Sequence, residues 1–196
     1  MGNRTSAEAA NARRVLCFSG SLRRRSVNTA VLEAARRLAP AALELDLYDD
    51  LAALPPFNPD VEAQALPAVV ARLRARVEGA DALLIACPEY AHGVPGAFKN
   101  LLDWLVGGVE FPGKPVLVLN TSARGSYHAQ HALLEILRTM SAQLIAAESP
   151  LVALPASGCG TAEVLADPQR CIEIEAALRL LGGAVILSAP FFNPDA

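Results

Sequence analysis

Residues 43–47 read LELDL, and the fold turns on that alternation. Leu43, Leu45 and Leu47 fall on one face of a strand and Glu44 and Asp46 on the other, because side chains along a strand alternate with a period of two. Three further runs, Val15–Ser19, Ala82–Cys87 and Val116–Asn120, are apolar almost throughout. Strands of that kind suit a parallel sheet covered by helices on both faces. The alternating strand therefore belongs at an edge, where one face meets water.

Between these runs lie helical stripes: Leu66, Val69, Val70, Leu73 and Val77; Phe98, Leu101, Leu102 and Leu105; Leu133, Ile136, Leu137 and Met140. Their i, i+3, i+4, i+7 spacing lines one side of a helix. A first helix is expected from Asn28 to Ala39, stopped by Pro40, whose ring cannot continue the ladder. Strands alternating with helices imply right-handed βαβ units and a doubly wound parallel α/β sheet with helices on both faces. Of the two common strand orders, 3-2-1-4-5-6 buries the second strand and 2-1-3-4-5 leaves it at the edge. LELDL selects the second order.

The last third is less determined. A fifth strand is expected in either QLIA (143–146) or PLVAL (150–154), and a final helix from Asp167 to Leu181. Past Gly182 and Gly183, the tail 184–196 reads as a sixth strand, a docked tail or part of a subunit interface. Residues 1–13 read as a flexible polar leader and 14–196 as one domain. Leu101, Trp104 and Leu105 suit either the core or a dimer face.

Composition narrows the function. The chain is 53% apolar with a mean hydropathy of +0.31, yet no apolar run reaches the ~20 residues of a membrane span. A net charge of -3 and a pI near 5.6 argue against a nucleic-acid binder, which shows a basic patch or stripe. The four cysteines, at 17, 87, 159 and 171, have no CxxC or metal-ligand spacing. That pattern indicates a reduced, cytoplasmic chain. His128 and His131 stand three apart, but no third ligand accompanies them, so no metal site is expected.

Ligands of such a sheet bind beyond the carboxyl ends of its strands. Three loops meet there: 19–27, 88–95 and 121–127. The first belongs to SGSLRRRSVN (19–28). Gly20 allows a tight turn, and the helix that follows presents unpaired N–H groups and a partial positive charge, which suit a phosphate. Ser21, Ser26 and Asn28 add donors, and an arginine adds a charge-assisted pair. Neither GxGxxG nor GxxxxGK[ST] is present, so a Rossmann dinucleotide site and a Walker loop are not supported. A rival reading takes the C-x5-R spacing of Cys17 and Arg23 as a cysteine phosphatase loop with Asp167 as acid. The position of Cys17 inside a strand and Arg24 in place of a Ser or Thr count against it.

Together GSLRRRSVN (20–28), PEYAHGVPGAFKNLLDW (88–104) and FPGKPV (111–116) resemble the NAD(P)H-dependent FMN reductase family of flavodoxin-like proteins, which includes quinone, azo-dye and chromate reductases. The resemblance covers residues 15 to about 140. It implies that Ser21, Arg23, Ser26 and Asn28 hold the FMN phosphate. It implies that Pro88, Glu89 and Tyr90, mainly through backbone groups, border the isoalloxazine. From the third loop, TSARGSYH (121–128), Ser122, Arg124 and Gly125 are expected at the flavin pyrimidine edge, where a cation favours the reduced anion. Two departures stand out: Ala91 replaces a frequent Asn and is followed by His92, and the third loop has fewer glycines than is usual.

The implied reaction is ping-pong. Hydride passes from NADPH or NADH to the flavin and on to a second small-molecule acceptor, such as free flavin, a quinone, an azo compound or a metal oxyanion. No catalytic side chain is implied, since position and electrostatics suffice. Family members are often homodimers or tetramers. A non-catalytic, flavin-binding electron-transfer module is the other reading of the same fold. Three consecutive arginines cannot all face one phosphate, so Arg23 is taken as the inward one. Arg24 and Arg25 are left to solvent or to the 2′-phosphate of NADPH.

Overall fold

Strand β2 (Leu43–Leu47) forms one edge of the sheet, with Leu43 and Leu45 buried and Glu44 and Asp46 exposed. The computed structural model of the chain describes residues 12–155 and 158–187. Its other strands are β1 (Arg13–Ser19), β3 (Ala82–Ala86), β4 (Pro115–Ser122), β5 (Gln143–Leu144) and β6 (Leu151–Leu154). All paired strands are parallel, in the order β2-β1-β3-β4-β5, with β6 also on β4.

Both candidate fifth strands exist. The edge strand is split: β5 pairs the start of β4, and β6 pairs its end from Asn120 to Ser122. The β4–β6 pairing is irregular, with a register shift between Asn120 and Ser122. Residues 145–150 bridge the two pieces without strand structure of their own.

The helices are α1 (Val27–Leu38), α2 (Pro59–Gln64), α3 (Ala68–Glu78), α4 (Gly96–Val106), α5 (Tyr127–Thr139), α6 (Thr161–Leu165) and α7 (Pro168–Leu187). Alternate side chains of the central strands feed two separate cores. Leu16, Phe18, Leu83, Ile85, Val116 and Val118 pack with the stripes of α3, α4 and α5. Val15, Cys17, Leu84, Ala86, Leu117 and Leu119 pack with α1 and α7 on the other face. Each fully buried aliphatic or aromatic side chain contributes about 1.5–3 kcal/mol, so the two layers dominate the folding energy.

Two boundaries differ from the sequence expectation. Arg13 already pairs with Leu43, so β1 takes the last residue of the expected leader. Residues 1–11 and 188–196 lie outside the described residues. Helix α7 does not stop at Leu181 but runs through Gly182 and Gly183 to Leu187. Two glycines cost a helix about 1 kcal/mol each relative to alanine. The buried stripe of Ile174, Ala177, Leu178, Leu181 and Val185, continuous into the second core, outweighs that cost. Leu101, Trp104 and Leu105 are fully buried within this chain, and Trp104 Nε1 donates to the Pro55 carbonyl at 2.8 Å. They are core residues and not a dimer face. No described helix is long and apolar enough to cross a membrane.

Candidate functional site

The loops after β1, β3 and β4 converge on one cavity of about 480 Å³ at the carboxyl edge of the sheet. Ser21, Arg23, Ser26, Asn28, Pro88, Glu89, Tyr90, Ser122 and Arg124 all line it. Gly125 is not among its lining residues. It holds a left-handed backbone, φ +93°, beneath the Tyr127 ring, which any Cβ at that position would overlap. Val27, Thr121, Ala123, Ser126, Leu154 and Pro155 complete the wall and were not anticipated. Thr121 was the findable one, since its hydroxyl stands beside Ser122 at the end of an apolar strand.

The first loop is tightly built. Gly20 continues the ladder by donating to the Ala86 carbonyl at 2.9 Å. A Cβ there would lie 2.7 Å from Cys87 Sγ and 3.2 Å from its Cα, so the loop needs glycine for close approach rather than for an unusual φ. Ser26 is the N-cap of α1: its hydroxyl accepts from Thr29 N at 3.4 Å. The first-turn amides of Val27 and Asn28 have no acceptor among the described residues, as the geometry of a helix start dictates. Asn28 is 3% exposed, and its Oδ1 accepts from the Thr121 hydroxyl at 2.8 Å. That bond ties the first loop to the third and leaves the Asn28 Nδ2 donor without a partner among the described residues.

The second loop turns back on itself. Tyr90 and Gly93 exchange backbone hydrogen bonds of 3.1 and 3.0 Å across Ala91 and His92, whose φ angles are 49° and 59°. Positive φ at both central residues is the pattern of a type I′ turn, which favours Asn and Gly. The frequent family Asn therefore suits this backbone, and Ala91 fills its place at a steric cost of about 1–2 kcal/mol. Ala91→Asn is expected to recover about 0.5–1 kcal/mol, a rise of about 1–4 °C in Tm. A melting curve unchanged by the substitution would mean that Ala91 carries no such strain.

The Glu89 side chain does not turn to the cavity alone. Its Oε2 accepts from Ala129 N at 2.9 Å, in the first turn of α5. The N-cap of that helix, Ser126, is left-handed and makes no side-chain capping bond, so a carboxylate from 40 residues away fills the role. The third loop is braced as well: Ser122 N donates to Asn120 Oδ1 at 3.0 Å and Arg124 N to Ser122 Oγ at 3.2 Å. His128 stacks on His92, with ring centroids 4.3 Å apart and planes at 19°. Among the described residues no three or more His, Cys, Asp or Glu side chains cluster as metal ligands.

Cys17 ends the phosphatase reading. It is fully buried in mid-strand, on the face packed by α1 and α7, and burial pushes its thiol well above the usual range. Cys87, beneath Gly20, is pushed up to about 12 for the same reason. Neither provides a thiolate at neutral pH.

Residues 13–154 match the sequence model of one family, described as NADPH-dependent FMN reductase. The chain belongs to the NADPH-dependent FMN reductase family. It is 40% identical over 128 residues to an NAD(P)H-dependent FMN reductase of Pseudomonas aeruginosa, covering 61% of this chain and 69% of that one. It is 35% identical over 153 residues to a quinone reductase of Pseudomonas putida, covering 76% and 78%. Among solved structures, the flavoenzyme NAD(P)H:(acceptor) oxidoreductase FerB of Paracoccus denitrificans superposes with a TM-score of 0.69 at 29% identity, covering 88% of this chain and 98% of that one.

For a member of this FMN reductase family, the donor set fits the cofactor. The cavity has the size of a ligand pocket. From the loop before α1 and the first turn of that helix come an arginine, two serines, an asparagine amide and two unpaired helix amides, which suit a phosphate dianion. From the loop after β3 come the braced 88–90 backbone and the exposed Tyr90 ring.

Proposed function

We propose that this chain is a cytoplasmic, homo-oligomeric quinone reductase that draws its electrons from NAD(P)H through bound FMN. The observation that carries the site assignment is the cavity that gathers Ser21, Arg23, Ser26 and Asn28 at the start of α1 with Pro88, Glu89 and Tyr90 after β3. The quinone as acceptor is supported by the relatives named quinone reductase, and the four free cysteines suit a reducing compartment.

When bound, FMN supplies the two-electron chemistry between the nicotinamide and the acceptor. The chain supplies the rest. Arg23 and the first turn of α1 would hold the FMN phosphate and offset its charge, with the Ser21 and Ser26 hydroxyls and Asn28 Nδ2 available as further donors. The loop 88–90, held by its own turn and by the Glu89 bond to α5, fixes one wall of the cavity in advance. Arg124 sets a cation on the wall formed by the third loop, where it stabilises developing negative charge. No side chain needs to act as nucleophile or general base.

A steady-state experiment tests this. With NADPH and a benzoquinone varied together, double-reciprocal lines are expected to be parallel, with one NADPH consumed per quinone. Intersecting lines, or turnover with free FMN but not with quinones, would contradict the proposal.

A further inference from the structure

The three consecutive arginines diverge. Arg23 lines the main cavity, whereas Arg24 and Arg25 line a separate one of about 170 Å³ beside it. Ser26 contributes to both, so the two are contiguous. The smaller cavity is closed by Thr29 of α1 and by Cys159 and Thr161 at the start of α6. It is too small for a whole ligand, since ligand pockets run from about 300 Å³ upward. It is large enough for one substituent.

Its charge is not offset by an acid, and Arg24 and Arg25 share that with Arg14, Arg23, Arg37 and Arg124, none of which reaches a carboxylate among the described residues. Among the described residues, Arg13, Arg36, Arg72, Arg74, Arg76, Arg138, Arg170 and Arg179 each reach a carboxylate. Arg24 and Arg25 reach none, and no Asp or Glu lines their cavity. The nearby Glu163 carboxylate is turned onto Gly160 N at 3.1 Å. Arg24 and Arg25 together bring a formal charge of +2 to the lining of a concave site that no Asp or Glu lines. A phosphate monoester, a dianion with three acceptor oxygens, matches that charge and its fork-shaped donors.

We propose that the cavity of Arg24 and Arg25 receives the adenosine 2′-phosphate of NADPH, and so makes the enzyme prefer NADPH to NADH. The inference rests on the proposed use of the main cavity for FMN. The FMN phosphate is already served by Arg23 and the first turn of α1. A second, adjoining phosphate site therefore calls for a second phosphate, and the 2′-phosphate is the group that distinguishes the two coenzymes.

The test compares kcat/KM for NADPH and NADH in the holoenzyme and in Arg24→Gln/Arg25→Gln. Wild type is expected to prefer NADPH, and the double variant to lose that preference about ten- to hundredfold. NADH turnover and bound flavin should stay within twofold. Inorganic phosphate is expected to compete with NADPH and not with NADH. An unchanged coenzyme ratio, an equal loss for both coenzymes, or a wild-type preference for NADH overturns the inference. So does phosphate binding that the double substitution abolishes while the ratio stays fixed, which would mark a free-anion site. Calorimetry with adenosine and 2′-phosphoadenosine separates this from failure of the main reading. If neither coenzyme reduces the flavin, tighter binding of the phosphorylated nucleoside in wild type alone still supports the site, and equal binding of both overturns it.

Discussion

Arg23→Ala is expected to weaken FMN binding about ten- to hundredfold while leaving riboflavin affinity nearly unchanged. A charge-assisted hydrogen bond to phosphate contributes about 1.5–3 kcal/mol, and tenfold in affinity corresponds to about 1.4 kcal/mol. Arg23 is the only one of the three adjacent arginines that lines the main cavity, and the one carboxylate residue in that lining, Glu89, is bonded to Ala129 N rather than to Arg23. Riboflavin has the same ring system without the phosphate, so the pair of ligands isolates the contact. Titrations followed by quenching of flavin fluorescence measure both constants. Equal losses for the two ligands would show that Arg23 acts on the loop and not on the phosphate.

Glu89→Ala should unfold earlier and bind flavin less tightly. The carboxylate accepts from Ala129 N at the positive end of α5 and joins the loop after β3 to that helix. A hydrogen bond to a charged group, aided by the helix dipole, is worth about 1.5–3 kcal/mol. For a chain of this length that corresponds to a fall in Tm of about 3–12 °C. Glu89→Gln keeps an oxygen acceptor and loses the charge, so it should fall between wild type and Glu89→Ala. Thermal melts with and without FMN separate the two roles of the residue. A normal apo melt with a large loss of flavin affinity would mean that the Glu89 carboxylate meets the cofactor directly.

The parts of this protein that could be read from sequence are those written in local patterns. LELDL placed an edge strand, and the sheet order followed from it. The phosphate-binding end of the cavity was legible because its donors crowd into eight positions before one helix. What stayed hidden depends on contacts between distant residues. The Glu89 cap on α5 spans 40 residues and the Thr121–Asn28 bond spans 93. No local period announces either.

Other features were obscured by misleading local signals. Gly182 and Gly183 resemble a helix stop, yet tertiary burial of Leu181 and Val185 carries α7 past them. The split edge strand looked like a choice between two segments because each is too short to stand as a full strand, and the structure uses both. The type I′ turn at Ala91 and His92 went unread because neither residue is the Asn or Gly that normally marks it. The Cys17 and Arg23 spacing suggested a phosphatase loop; Arg24 already counted against it, and the burial of Cys17 in mid-strand removes that meaning.

The most direct test is the visible spectrum of the purified protein after addition of FMN and removal of the free cofactor, followed by anaerobic NADPH. Flavin bands that remain with the protein at about one per chain, and then bleach, are the expected result. A protein that retains no flavin, or retains flavin that NADPH and NADH both leave oxidised, would contradict the account.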